Sequence, residues 1–136
     1  MVKLMSFFKR KQGMSVETFQ AYWRTKHAEV VVKLPGIRRY VQSHTLLSGY
    51  RKGEPVYDGV AEVWIDDTQV MRIQAGTPEY AAVRADEPNF MDVSTMGSII
   101  TEEHVIKDGE IPLNAVKNME FVTHKPDMPI EAFQKH

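Results

Sequence analysis

SVETFQAYWRTKHAEVVVKLPGIRRYVQSHTLL, residues 15–47, is the stretch whose reading decides the fold. Ser15 has the short side-chain oxygen of an N-cap and Glu17 puts an acid in the first turn. Val16, Phe19, Trp23, His27, Val30, Val31 and Leu34 then recur at steps of three and four, which places them on one face of an amphipathic helix. Pro35-Gly36 stops that helix. Residues 37–47 switch to alternation, so a strand follows with Arg38, Tyr40, Gln42, His44 and Leu46 on one face.

Working outward, residues 2–9 read as a first strand closed by the turn Lys11-Gln12-Gly13. Residues 57–66 read as a third strand. Asp58, Val60, Glu62 and Trp64 face one way, and the apolar set Gly59, Ala61, Val63 and Ile65 faces the other, toward helices. Asp66 and Gln69 have capping-box spacing for a helix to about residue 75, and Thr77-Pro78-Glu79 restarts one. Residues 96–107 read as the last strand, ending at Asp108-Gly109. The order βαββαβ predicts an α+β, ferredoxin-like plan: a four-stranded antiparallel sheet with both helices on one face. Assigning Tyr40, Gln42, His44 and Leu46 to the bare face with Asp58, Val60, Glu62 and Trp64 makes that face too apolar for water. A second sheet is expected to cover it in a homodimer, leaving a lined cavity for a small molecule.

At 136 residues, 43% hydrophobic and 26% charged, the chain is long enough for one globular domain with a proper core. Seventeen basic against 18 acidic side chains, net charge -1, lack the positive excess that nucleic-acid binding needs. The absence of cysteine excludes disulfides, thiolate metal sites and a catalytic thiol. No apolar run approaches a membrane span and the start does not read as a signal peptide, so a cytoplasmic protein is expected. At an offset of 114, residues 116–136 match residues 2–22 at nine of 21 positions, including Phe7/Phe121, Met14/Met128 and Phe19/Phe133. The expected division is a module over 1–110, then a linker and the truncated start of a second copy over 111–136.

Gly13-Met14-Ser15 with Phe19, Tyr22-Trp23-Arg24 with His27, residues 34–42, residues 57–64 and Thr101-Glu102-Glu103-His104 together resemble the EthD family of the dimeric α+β barrel superfamily, over roughly residues 2–107. The resemblance implies a barrel-forming dimer. It associates the chain with ether and aromatic-compound degradation, methylmuconolactone isomerisation and polyketide tailoring. It also implies that His27, in the Trp-x-x-x-His pattern, transfers protons.

From the residues alone, His27 is either a general acid/base, suited by an unperturbed pKa near 6.5, or a core histidine on a backbone carbonyl. Tyr40 and His44 are candidates to bind or protonate an enol oxygen. Glu62 or Asp58 would orient a histidine and Trp64 would stack on a flat substrate, if the two strand faces line one cavity. The alternative for Asp58 and Glu62 is structural ion pairing, with a turn role for Asp58 beside Gly59. The expected catalytic set is His27, His44, Tyr40 and Glu62, with Trp64, Asp58, Gln42 and Trp23 binding substrate. His27, His44 and His104 are too scattered for a metal site, and no cofactor is expected. These readings favour a cofactor-independent lyase or isomerase acting on a small, apolar, oxygenated cyclic or aromatic compound. The alternatives are a non-catalytic binding protein serving an oxygenase, and a haem- or oxygen-dependent enzyme.

Overall fold

A computed structural model describes residues 1–135, which divide into one unit over residues 1–104 and a second beginning at Val105. In the first unit the elements run β1 (Val2–Arg10), α1 (Val16–Tyr22), a π-wound turn (Trp23–His27), α2 (Ala28–Val31), β2 (Arg39–His44), β3 (Gly59–Ile65), α3 (Thr68–Gln74), α4 (Pro78–Asp86) and β4 (Met91–Thr101). The four strands form one antiparallel sheet in the order β2-β3-β1-β4.

Local chemistry sets these boundaries. The Ser15 hydroxyl accepts from the Thr18 amide and Thr77 caps α4 through the Tyr80 amide, with Pro78 in the first turn. For α3 the cap is Asp67, not Asp66: its carboxylate accepts from the amides of Gln69 and Val70, while Asp66 pairs with Arg38. Pro35 and Gly36 end the first helical segment, with Gly36 at φ 80, where a Cβ would meet Val70. Gln74, buried on α3, donates to the Pro35 carbonyl and ties that turn down.

The last strand lies earlier than its alternation suggested, at 91–101 instead of 96–107. Met91 pairs with Arg10 and Thr101 with Lys3, so β1 has almost no length left to pair beyond residue 101. His104 and Glu103 therefore follow the strand instead of lying on it.

Phe8, Phe19, Trp23, Phe90 and Met91 form the core between sheet and helices. Phe8 meets Trp23 and Phe90 edge-on at centroid separations of 5.1 and 6.0 Å, the arrangement that aromatic quadrupoles favour. Gly59 admits the Trp23 ring to the sheet, since a Cβ there would lie 2.4 Å from Trp23 Cζ3. That contact fixes the face: Gly59, Ala61 and Val63 look toward the helices, as alternation predicted.

The register corrects one assignment. Tyr40 pairs with Val63, Gln42 with Ala61 and His44 with Gly59, and directly opposed residues share a face. Tyr40, Gln42 and His44 thus project to the helix side, and Glu62 and Trp64 to the other. Alternation gives the two faces of each strand; only cross-strand pairing says which faces coincide.

In the second unit, residues 116–123 form no strand. A turn in which the Met128 amide donates to the Lys125 carbonyl leads into α5 (Ile130–Lys135).

Candidate active site

The first helical segment places its chemistry at the π turn. In this winding the Ala28 amide reaches the Trp23 carbonyl five residues back. Side chains five apart in sequence come onto one side of such a turn, and Tyr22 and His27 do: both bond to the Asp86 carboxylate at the end of α4. The Tyr22 hydroxyl donates to Oδ1 at 2.6 Å, and His27 Nδ1 lies 2.7 Å from Oδ2. Asn89 donates to the same Oδ1 at 3.0 Å.

His27 is 5% exposed, its ring 4.5 Å from that of Phe90. Burial pulls its pKa below the ordinary histidine value, with Asp86 opposing. Burial pushes the Asp86 carboxyl up, but the hydrogen bonds from Tyr22, His27 and Asn89 together outweigh it and hold the group below the usual aspartate value. The resulting state is a neutral imidazole donating from Nδ1–H to a carboxylate, which leaves the Nε2 lone pair as the basic position. No described residue occupies Nε2.

On the sheet side of the same turn, Gln42 Nε2 donates to the Trp23 carbonyl at 2.8 Å and to the Tyr40 hydroxyl oxygen at 2.7 Å. Gln42 Oε1 lies 2.8 Å from His44 Nε2, and the His44 ring packs on Trp23 at 4.4 Å. Burial lowers the His44 pKa and the charge of Arg24 adds to that. Burial raises that of Tyr40, against the Gln42 amide and the Trp23 side chain.

Of the eight residues singled out from sequence, the structure brings Trp23, Tyr40, Gln42 and His44 into one contact group, and His27 stands at the other end of the same turn. Glu62, Trp64 and Asp58 are elsewhere. Glu62, 3% exposed, pairs with Lys3 at 2.8 Å on the open sheet face, where Lys3 and Arg39 each lie 5.0 Å from the Trp64 ring centre. Asp58 is fully buried at the start of β3. It accepts from the Arg10 amide and guanidinium, both at 2.8 Å, and from the Tyr50 hydroxyl, an ion-paired anchor for the 45–58 loop.

The carboxylate that orients a histidine is therefore Asp86. One signal in the sequence points to it: an acid in the last turn of a helix opposes the helix dipole and calls for a partner. Among the described residues no three His, Asp or Glu side chains stand close enough to hold a metal ion, and no helix is long and apolar enough to cross a membrane.

An antiparallel four-stranded sheet carrying helices on one face, with a buried histidine bonded to a half-buried aspartate at the helix junction, is an α+β protein of the ferredoxin-like class. The EthD domain model matches residues 11–94, more than half of the chain, and the chain belongs to the EthD family. A crystal structure of an ethyl tert-butyl ether D (EthD) family protein from Bacillus halodurans C-125 is similar at 25% identity and TM-score 0.62, covering 76% of this chain and 99% of that one. A dimeric ferredoxin-like protein of unknown function from Bacteroides fragilis NCTC 9343 matches at 17% identity and TM-score 0.56, over 75% and 95% of the two chains. SnoaB from Streptomyces nogalater, described as a cofactor-independent oxygenase, shares the fold at 12% identity and TM-score 0.54, over 78% and 97%. No curated protein matches the chain.

Proposed function

We propose that the chain is a cofactor-independent lyase or isomerase that moves a proton on a small, largely apolar, oxygenated cyclic or aromatic compound, with His27 as the base. The carrying observation is the 2.7 Å contact of His27 Nδ1 with Asp86, because it commits the ring proton to Nδ1 and turns Nε2 into an acceptor. Asp86 acts through His27 as a positioning residue. Phe90 packs on the His27 ring and Trp23 on the His44 ring, which gives both imidazoles an apolar setting.

The experiment is hydrogen–deuterium exchange. Wild type and His27→Ala are incubated in heavy water with a panel of cyclic ketones, lactones and phenols, and deuterium uptake is read by mass spectrometry. The reading expects uptake into at least one compound class with wild type and none above background with the variant. Equal uptake by both removes His27 from the chemistry, and saturable binding without uptake points to a non-catalytic binding protein.

The likeness to an oxygenase described as cofactor-independent favours a second reading, in which the same deprotonation yields a carbanion that O2 attacks. Oxygen consumption by wild type with the deuterating compound separates the two.

Two structural readings belong with this proposal. The open sheet face carries Val41, Val60, Met5, Phe7 and the exposed Ile99, and neighbours of this fold are described as dimeric, so we take the unit to be a homodimer paired through that face. Residues 116–135 are taken as the start of a second EthD-like repeat after a linker from residue 111. In support, the Met128–Lys125 and Phe133–Pro129 backbone bonds stand 114 residues from Met14–Lys11 and Phe19–Ser15.

A further inference from the structure

We propose that Gln42 is a positioning residue that turns the Tyr40 O–H outward as the hydrogen-bond donor to a substrate oxygen, so that the site takes compounds whose labile C–H neighbours a carbonyl group. The inference rests on the reading of His27 as the base.

The Gln42 amide has only one consistent orientation. Its nitrogen lies 2.8 Å from the Trp23 carbonyl oxygen, which can only accept, so that atom must be the NH2 group. Oε1 is then the acceptor facing His44 Nε2, which puts the His44 proton on Nε2 and leaves Nδ1 bare; Nδ1 is buried without a partner. The second amide hydrogen is spent on the Tyr40 oxygen at 2.7 Å. Tyr40 accepts there, its own proton points elsewhere, and no described residue receives it.

This arrangement suits an oxygen on which charge develops. The phenol stays protonated at neutral pH, yet a donor already sits on its oxygen to stabilise it as its proton is shared.

One atom joins this group to the base. The Trp23 carbonyl oxygen that holds Gln42 also accepts the Ala28 amide, the peptide directly after His27. The π winding of residues 23–27 thus contacts the Gln42 group through a carbonyl that also holds the peptide after His27. In the reaction His27 Nε2 takes the proton from carbon and the C–H electron pair becomes a C=C bond. The carbonyl π pair moves onto oxygen, which Tyr40 O–H stabilises. Collapse of the enolate then either returns the proton from His27 to a different carbon or expels a leaving group that carries the proton away.

The test uses 4-nitrophenolate, an anionic oxygen on a flat ring, titrated above its own pKa into wild type, Tyr40→Phe, Gln42→Glu and His27→Ala. Gln42→Glu cannot donate and instead accepts the Tyr40 proton. Both Tyr40→Phe and Gln42→Glu are expected to weaken binding by about tenfold or more, the range for a hydrogen bond to a charged group. Binding by these two variants at wild-type affinity overturns the proposal, as does no saturable binding by wild type at millimolar ligand. Because a variant can lose its fold, 15N NMR of the unmodified protein supplies a second reading: His44 protonated at Nε2 supports the Gln42 orientation, and protonation at Nδ1 overturns it. His27→Ala separates the two claims. If it still exchanges deuterium while Tyr40→Phe and Gln42→Glu bind poorly, the base is wrong and the donor stands; if it fails to exchange while those two bind normally, the donor is wrong and the base stands.

Discussion

At His27 the chemistry turns on which ring nitrogen carries the proton, and Asp86 decides it. Asp86→Asn removes an anion that raises the His27 pKa, so the imidazole is expected to titrate at still lower pH, read by NMR. Its turnover should fall by at least about tenfold through loss of the defined tautomer. Burial also links these groups to stability. His27 and His44 are both depressed below their unfolded value of about 6.5, so between the folded and unfolded pKa values the unfolded chain binds more protons. Their contribution is full above about pH 6.5 and is lost as pH falls below it. Asp86, also depressed, acts in the same direction at lower pH. Chemical denaturation across pH 4–8 should show stability falling on the acid side of about pH 6.5; a flat profile contradicts the neutral assignment. Asp58→Ala, which strips three hydrogen bonds from a sealed site, is expected to cost about 2–4 kcal/mol by the same method. His27 was singled out by its residue type and the Trp-x-x-x-His resemblance, whereas its place on the apolar stripe of the helix reads by itself as a core histidine. Asp86 was not, since its signal is the mild anomaly of an acid at a helix end.

Among the elements, the helix from Ser15, the Pro35-Gly36 stop and the apolar face of β3 could all be read from spacing and capping, because each is a local property of the chain. The joint placement of Tyr40 and His44 with Glu62 could not. Face-sharing between strands is set by the Tyr40–Val63 register, which the core contact of Trp23 on Gly59 imposes. That contact makes a prediction. Gly59→Ala drives a methyl into the Trp23 ring, and should lower stability by about 1–3 kcal/mol in denaturant unfolding while disturbing the His44 ring that packs on Trp23. The π turn was equally hidden, since 3.6-residue periodicity carries no mark of one added residue.

For the whole molecule, the open sheet face explains why an apolar strand face is paired with a buried Lys3–Glu62 ion pair. In the proposed homodimer such a pair would fix the register of two facing sheets more than it would add stability. Ile99, 42% exposed at this face, tolerates polarity in a single chain but not against a second copy. Light scattering should therefore show wild type as two chains and Ile99→Lys shifted toward one; a monomeric wild type would leave the face to another partner. The β-sheet plan was visible in the order of segments, whereas residues 116–123, matched to the first strand at an offset of 114, form no strand. β1 is a strand because β3 and β4 bond to it on both sides, and the second unit offers no strand of its own to do so.

The proposed chemistry needs a neutral His27 whose lone pair is at Nε2. Its most direct test is 15N NMR of the imidazole through a pH titration of the wild type. The prediction is a proton on Nδ1, a bare Nε2 at neutral pH and a midpoint below 6.5. A proton on Nε2, or a midpoint above the free value, would contradict it.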